Sequence, residues 1–336
     1  MTRLGDEKTE RFVAPFLLVK RTGYVGGYII ALLGILILNY SLLRALPGNL
    51  STVIGADVMT RIPLTHPENH VGVSVLSFLA YLQHVLKGDW GVSFFYHQPV
   101  IKVIFQFLPW SLILGALSMA TASLLGIILG AEAADRKSGL FDRIASGGAV
   151  VFLSIPGYLL AILLLVIFSV VFHVFPLSGG IQPFQDSGGL SSLMDYLRHL
   201  FLPWVTLTLM MFPEYYLLMR SGMMLSLKQP YILTARSKGL RERAIRYRHA
   251  ARDALIPILT RLGLQMGSLI TGIVFVEVVF SYPGVGALAY ESLKQRDVLL
   301  MDGILLIGAI WVVLMNLASD ILLRYLDPRT RQETTR

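Results

Sequence analysis

The chain has 336 residues, of which 54% are hydrophobic and 15% are charged, and its formal net charge is +8. With a mean hydropathy of +0.64, it carries more apolar surface than one soluble core can bury, which predicts a polytopic membrane protein. Because the chain contains no cysteine, disulfide bonds, thiolate metal ligands and cysteine nucleophiles are excluded.

Uncharged apolar runs predict the membrane-spanning elements. Backbone inside a bilayer must satisfy its own hydrogen bonds, so each run of about 20 apolar residues is expected to be a helix. The first run, after Lys20 and Arg21, is too long for the core of a signal peptide and is interpreted as an uncleaved helix. The expected fold class is all-α, with residues 1–336 forming a single transmembrane domain. Its six helices are expected over residues 22–44, 109–132, 146–172, 200–220, 257–280 and 303–324.

The distribution of Lys and Arg predicts the orientation. Segments on one side of the six helices hold 21 of the 29 basic residues, whereas segments on the other side hold six. Because cytoplasmic loops are enriched in Lys and Arg, both termini are expected in the cytoplasm. The net positive charge is therefore explained by topology, and no nucleic-acid partner is expected. Residues 47–101 then form the longest outer loop.

Residues 226–252 form an unusually basic inner segment. From Arg220 to Arg252 the sequence has nine Lys or Arg residues against one acid, Glu242. Such a segment suits docking to a partner protein. The alternative is that the general bias of cytoplasmic loops made it basic without any further role.

The pattern within this segment predicts a short helix, a bend and a second helix. Gln229 and Pro230 can begin the first helix, and Gly239 can end it in a left-handed conformation. The residues that follow are good helix formers and lead to Pro257, where the next span is expected to start.

The same segment carries a family resemblance. Residues 234–239 (TARSKG), followed by residues 248–250 (RHA) and 255–257 (LIP), resemble the Glu-Ala-Ala-x-x-x-Gly motif of ABC importer permeases, in the variant of the peptide and nickel branch. The order and spacing of further matches make the resemblance more specific than any single motif. Those matches are residues 43–48 (LRALPG), 88–94 (GDWGVSF), 108–109 (LP), 276–286 (VEVVFSYPGVG) and 325–329 (YLDPR).

The resemblance implies a fold, partners and a location. It implies the six-helix type I fold of importer permeases, in the B-type subunit of a dipeptide or oligopeptide system of a bacterial or archaeal cytoplasmic membrane. A homologous second permease, two ATPase subunits, an external solute-binding protein and membrane lipid are the implied partners. ATP and Mg²⁺ are expected in the ATPases, because this sequence lacks the G-x-x-x-x-G-K-[ST] pattern that cradles phosphates, and the chain itself is expected not to be an enzyme.

The resemblance also assigns residues that would couple the chain to the ATPases. The leading glutamate of the motif is replaced by Thr234, so a role for that carboxylate does not carry over, and Asn49 stands where the family commonly has aspartate. The residues implied in coupling are Tyr231, Thr234, Ala235, Arg236, Ser237, Lys238 and Gly239.

Polar residues inside the predicted helices are candidates for the transport path and its gate. Glu214 is costly in lipid unless it faces a cavity or a partner, so it could contact the ammonium group of a peptide; the alternative is a structural hydrogen bond or pairing with Arg220. Glu277, Pro283 and Gly284 are interpreted as structural support for an outer gate.

Other polar residues suggest no metal or catalytic site. Asn39 and Asn316 are interpreted as hydrogen-bonding links between helices. His66 and His70 are expected on a surface loop, where Pro67 makes a helical metal site doubtful. No nucleophile motif is present in the sequence.

Two alternatives to a peptide importer remain open at this stage. The same importer class also carries nickel chelates, opines and sugars. A secondary transporter would need ion-coupling carboxylates near the membrane midplane and often has an internal repeat; Glu214 is the sole candidate for such a carboxylate, and no repeat is evident.

Overall fold

The computed structural model describes residues 26–41, 75–135, 139–177 and 190–326. Within these ranges the chain is helical, with one isolated antiparallel bridge between Val92 and Pro99 and no strand. This agrees with the expected all-α class. The described residues belong to two compact units, a terminal unit (Met1–Ile101 with Asp297–Arg336) and a central unit (Lys102–Arg296).

The terminal unit contains three helices in its described part. They are α1 (Gly26–Ser41), α2 (Val75–Lys87) and α10 (Val298–Leu326). Tyr40 packs its ring against those of Phe78 and Tyr81, with centroids 5.4 Å apart in both cases. Asn39 Nδ2 donates to the Tyr81 hydroxyl at 3.3 Å and to the Asp302 carbonyl at 3.4 Å, which confirms that Asn39 links helices.

A tight turn precedes the start of α3 in the same unit. Gly88 and Gly91 adopt positive φ angles of 75° and 83°, which only glycine reaches without strain. Ser93 Oγ and Phe95 N donate to Asp297 Oδ2, at 2.5 and 3.2 Å. Asp297 Oδ1 also accepts from Leu300 N at 3.1 Å and so caps α10. The expected outer loop over residues 47–101 therefore contains α2 and an ordered turn, while residues 47–74 lie outside the described part.

The central unit contains the other helices. They are α3 (Val100–Asp135), α4 (Leu140–Ser154), α5 (Gly157–Leu165, continued by the π-helical Val166–Val171), α6 (Leu190–Ser226), α7 (Pro230–Ser237), α8 (Glu242–Val279, π-helical over Ile245–Ala250) and α9 (Val285–Lys294). α3 begins nine residues before Pro109, the expected start. The proline is tolerated because neighbouring elements can satisfy the backbone groups that it frees in a membrane helix.

Close backbone contacts hold α3 against α6. A Cβ atom at Gly126 would lie 2.6 Å from Tyr215 Cβ, and one at Gly130 would lie 2.6 Å from the Tyr216 carbonyl oxygen. Glycine at these positions lets the two helices approach through their backbones, as is common where membrane helices pack.

Three described helices are long and apolar enough to cross a membrane, namely Val100–Asp135, Glu242–Val279 and Val298–Leu322. α4 and α5 together form a fourth candidate, but they are bent by 102° between Ser154 and Gly157. The continuous helix expected over residues 146–172 is thus divided, because Pro156 has no N–H to extend the hydrogen bonds of α4. The described residues accordingly supply three or four of the six expected spans. Residues 22–25 and 42–44 of the first expected helix lie outside them.

Candidate functional site

The basic inner segment folds into the helix, bend and helix that its sequence predicts. Pro230 occupies the first turn of α7, where its missing N–H costs nothing. Gly239 ends α7 with a φ of +72°, and Leu240 N donates to the Ala235 carbonyl at 3.3 Å across this bend. α8 then starts at Glu242, so that α7 lies in a tight hairpin between α6 and α8.

One face of α7 is anchored in the protein core. Ile232 is fully buried and Ala235 is 6% exposed. They belong to a cluster with residues of α3, α6 and α8, including Ala131, Ala134, Met219, Met223, Ile245 and Ala250. Ala235 therefore makes its contacts within this chain.

The opposite face of α7 is exposed. Leu233 is 63% exposed and Tyr231 is 38% exposed, although both carry apolar surface. The remaining residues that the sequence implied in coupling are also exposed: Thr234, Arg236, Ser237, Lys238 and Gly239. The structure therefore presents six of the seven implied coupling residues together on one accessible surface, which we call the α7 face.

Ion pairs and hydrogen bonds fasten this hairpin. Arg236 Nε and Nη2 bond to the two carboxylate oxygens of Glu242 at 2.9 and 3.3 Å, which joins α7 to the start of α8. The Tyr231 hydroxyl donates to Asp253 Oδ2 at 2.8 Å. These contacts hold α7 in a defined position on α8.

A second set of contacts joins α8 to the end of α3. Arg246 lies between Glu132, at 3.6 Å, and Asp135, with which it forms a closer ion pair. The Tyr247 hydroxyl donates to Glu132 Oε2 at 3.2 Å. Sequence reasoning missed these two acids because they lie more than 100 residues before Arg246. The charge balance of residues 220–252 gave no sign of acids supplied by another helix.

Glu214 forms an ion pair with Arg261 of α8, with Oε1 and Nε 2.6 Å apart. Pairing of Glu214 with Arg220, one of the expected alternatives, is wrong. Residues six apart on a helix differ by about 240° in direction and face different neighbours. Arg220 instead bonds Asp142 of α4, with Nε to Oδ1 at 2.5 Å and Nη2 to Oδ2 at 2.9 Å.

The second predicted site, around Glu277, lies at the start of α9. This carboxylate is fully buried and accepts hydrogen bonds from Ser111 Oγ at 2.6 Å and from the backbone N–H groups of Gly286 and Ala287, at 2.7 and 3.2 Å. Ser111 Oγ in turn accepts from Val285 N at 2.7 Å. Two side chains from α3 and α8 thus satisfy the first N–H groups of α9.

The turn before α9 is shaped by the same carboxylate. A Cβ atom at Gly284 would overlap the Glu277 carboxylate group, so only glycine leaves it room. Tyr282 is buried beside Trp110 and donates to its carbonyl at 3.4 Å. Burial raises the pKa of Tyr282, so the hydroxyl keeps its proton. Pro283 and Gly284 therefore belong to a rigid turn, and Ser111 is the partner that the sequence did not reveal.

Comparison with known proteins identifies the family of this chain. Residues 122–332 match the family model described as "Binding-protein-dependent transport system inner membrane component". The chain belongs to this family. The matched range includes α7, α8, the Glu277 turn and all of α10, whereas Ser111, the partner of Glu277 on α3, lies before it.

Several relatives of this inner membrane component span most of the chain. A dipeptide transport system permease protein, DppB, of Lactococcus lactis subsp. cremoris is 34% identical over 76% of the chain and 80% of its own length. An oligopeptide transport system permease protein, AppB, of Bacillus subtilis is 32% identical over 89% of the chain and 94% of its own length. The DppB protein of Escherichia coli is 29% identical over 94% of the chain and 98% of its own length.

Proposed function

We propose that the chain is one of two permease subunits of an ATP-driven importer that moves peptides across the cytoplasmic membrane. The observation that carries the proposal is the α7 hairpin, which exposes one face and anchors the other in the core. The printed names of the relatives, which are dipeptide and oligopeptide permeases, favour peptides over nickel chelates, opines or sugars.

In this proposal the α7 face binds an ATPase subunit in the cytoplasm. ATP and Mg²⁺ belong to two such ATPases, and an external solute-binding protein delivers the peptide. The exposed apolar side chains of Tyr231 and Leu233 supply contact area, and Lys238 offers a cation to acidic groups. The second permease completes the path, which this chain forms with six membrane helices and two cytoplasmic termini.

Movement of the α7 face would be transmitted through the contacts that anchor it. The core cluster around Ile232 and Ala235 joins α7 to α3, α6 and α8. The pairing of Arg246 with Glu132 and Asp135 adds a charged link from α8 to α3. A shift of α7 therefore acts on three helices at once, because packed interiors transmit displacement.

At the other end of α8, the Glu277 turn supports an outer gate. The buried bonds of Glu277 and Ser111 fix α9 relative to α8 and α3. When α8 moves, α9 must move with it, since breaking these bonds would leave buried polar groups unsatisfied.

Purification and reconstitution test the proposed function. The chain should copurify with a second permease and two ATPases, and proteoliposomes containing the complex should take up dialanine or trialanine only with ATP and a binding protein. Isolation as a transporter that works without ATP would contradict the proposal.

Two variants at one position test the role of α7 in the same assay. Gly239→Pro should lose the ATPases, because proline cannot adopt the φ of +72° and lacks the N–H that bonds the Arg236 carbonyl at 2.9 Å. Gly239→Asn is the matched control, since asparagine tolerates left-handed backbone and should retain them. Equal ATPase binding by both variants would show that α7 is not part of the interface with the ATPase subunits.

A further inference from the structure

The Glu214–Arg261 pair differs from the Arg220–Asp142 pair in its exposure. Its two side chains are 40% and 35% exposed, whereas Asp142, the partner of Arg220, is 6% exposed. Arg261 Nε is itself buried against Glu214 Oε1, 2.6 Å away. The partial exposure of the two side chains is what leaves them accessible to another charged group.

The pair lies inside two helices expected to span the membrane, at residues 200–220 and 257–280. Charged groups are costly in the hydrocarbon and almost always face a helix bundle interior or a water-filled cavity. Arg261 lies four residues after the expected start of its span and Glu214 six residues before the expected end of its own, so both lie toward the cytoplasmic ends of these helices. The open side of the pair is therefore expected to meet water or protein rather than lipid.

The surface of α8 next to Arg261 supports this conclusion. Arg261, Gln265, Ser268 and Gly272 follow each other at spacings that place them within a stripe about 60° wide on an α-helix. Ser268 and Gly272 are exposed, and Arg261 and Gln265 are partly exposed. Lipid does not favour a polar stripe, so this side of α8 is suited to line an aqueous path.

We propose that Glu214 and Arg261 bind the two termini of a peptide in transit, Glu214 taking the ammonium group and Arg261 the carboxylate. This inference rests on the proposed function and names the substrate contacts of the path. Exchanging one ion pair for two of the same kind leaves no charge uncompensated, so the peptide enters without exposing a bare charge. Because binding of the peptide breaks the Glu214–Arg261 ion pair, the net affinity stays low. A weakly bound peptide can be released, as transport requires.

A cysteine-labelling experiment tests the proposal directly. The chain has no cysteine, so Ser268→Cys provides one reporter on the polar stripe of this chain. The complete complex of permeases and ATPases is labelled with a maleimide in proteoliposomes without binding protein, which removes the selectivity of that subunit. We expect trialanine to slow labelling and N-acetylated, C-amidated trialanine to have no effect.

The double variant Glu214→Gln with Arg261→Met separates recognition from support of the fold. Removing both charges leaves no unpaired charge, so the complex should assemble as in the unchanged protein. Protection by trialanine should be lost, and the rate of ATP-driven trialanine uptake should fall about tenfold, the loss that corresponds to about 1.4 kcal/mol. The matched control is Asp142→Asn with Arg220→Met, which removes the Arg220–Asp142 ion pair and should keep the protection.

Three outcomes would overturn the inference: no protection by trialanine, equal protection by free and blocked trialanine, or unchanged protection in the double variant of Glu214 and Arg261. Any of these together with normal ATP-driven uptake of trialanine would leave the proposed function standing. Absence of uptake by the unsubstituted complex would instead contradict the proposed function itself.

Discussion

At the residue scale, single side chains satisfy groups that lie far away in sequence. Glu277 and Ser111 are 166 positions apart, and together they bond three N–H groups at the start of α9. A carboxylate in this position is stabilised by the helix N-terminus and by each donated hydrogen bond. The Glu277 turn therefore also depends on Gly284 and Gly286, which leave room for the carboxylate.

Gly284→Ala should destabilise the protein through this carboxylate. The backbone φ of Gly284 is −103°, which alanine adopts freely, so the effect is steric: the new Cβ would overlap Glu277. Overpacking of this kind costs about 1–3 kcal/mol. A lower thermal unfolding midpoint of the purified complex is the expected measurement.

Gly272→Ala is the matched control for this prediction. A Cβ atom at Gly272 would meet nothing within 4 Å, and alanine is favoured over glycine in a helix by up to about 1 kcal/mol. The control should leave the unfolding midpoint unchanged or raise it. Equal effects of the two substitutions would mean that the Glu277 carboxylate does not fill the space beside Gly284.

At the scale of elements, α7 and α8 behave as a hairpin that is fastened to α3. Arg246 is 18% exposed and lies between two carboxylates, while Arg243, three residues earlier, is exposed. A partly buried charge between two opposite charges contributes more than a surface ion pair, because solvent screens it less. Arg246 thus links α8 to α3, whereas Arg236 links α8 to α7.

Arg246→Gln should separate ATP hydrolysis from transport. The substitution removes the positive charge between Glu132 and Asp135, so α3 no longer follows α8 as closely. We expect ATPase subunits to remain bound and hydrolysis to continue, while peptide uptake per ATP falls about tenfold, as for loss of about 1.4 kcal/mol of coupling.

Arg243→Gln removes the same charge from an exposed position and serves as the control. It should alter the uptake per ATP by less than about twofold, since exposed ion pairs contribute at most about 1 kcal/mol and often nothing. If both variants behave alike, the link from α8 to α3 is not part of energy coupling.

At the scale of the whole molecule, the distribution of Lys and Arg predicts which surfaces face the cytoplasm. The α7 face should be inside, and the turn that contains the half-exposed Phe95 should be outside. Both positions lie in described segments, so the expected orientation can be measured at each of them.

Single-cysteine variants test this orientation. Lys238→Cys should react with a membrane-impermeant maleimide only in inside-out vesicles, whereas Phe95→Cys should react only in right-side-out vesicles. The chain supplies no competing cysteine. Labelling of Lys238→Cys from outside would reverse the topology and would place α7 out of reach of any ATPase.

The amount that could be predicted from sequence differs between local and distant features. The helix start at Pro230 and the stop at Gly239 follow from backbone preferences of those residues, and the structure confirms both. The break at Pro156 rests on an equally local rule, yet the expected helix runs through it, because the apolar run continues on both sides of the proline. Length and hydropathy show that a segment can cross the membrane but do not show that it is straight.

The sequence by itself determined the all-helical membrane class, the family and the position of the α7 hairpin, because composition, charge distribution and turn residues act locally. Only the tertiary structure decided the pairing of Glu214 with Arg261, of Arg220 with Asp142 and of Arg246 with the end of α3. Ion pairs between helices depend on which faces meet after packing. The chain has many basic residues that could pair with each acid, so the partner is decided by which residues the packed helices bring close together.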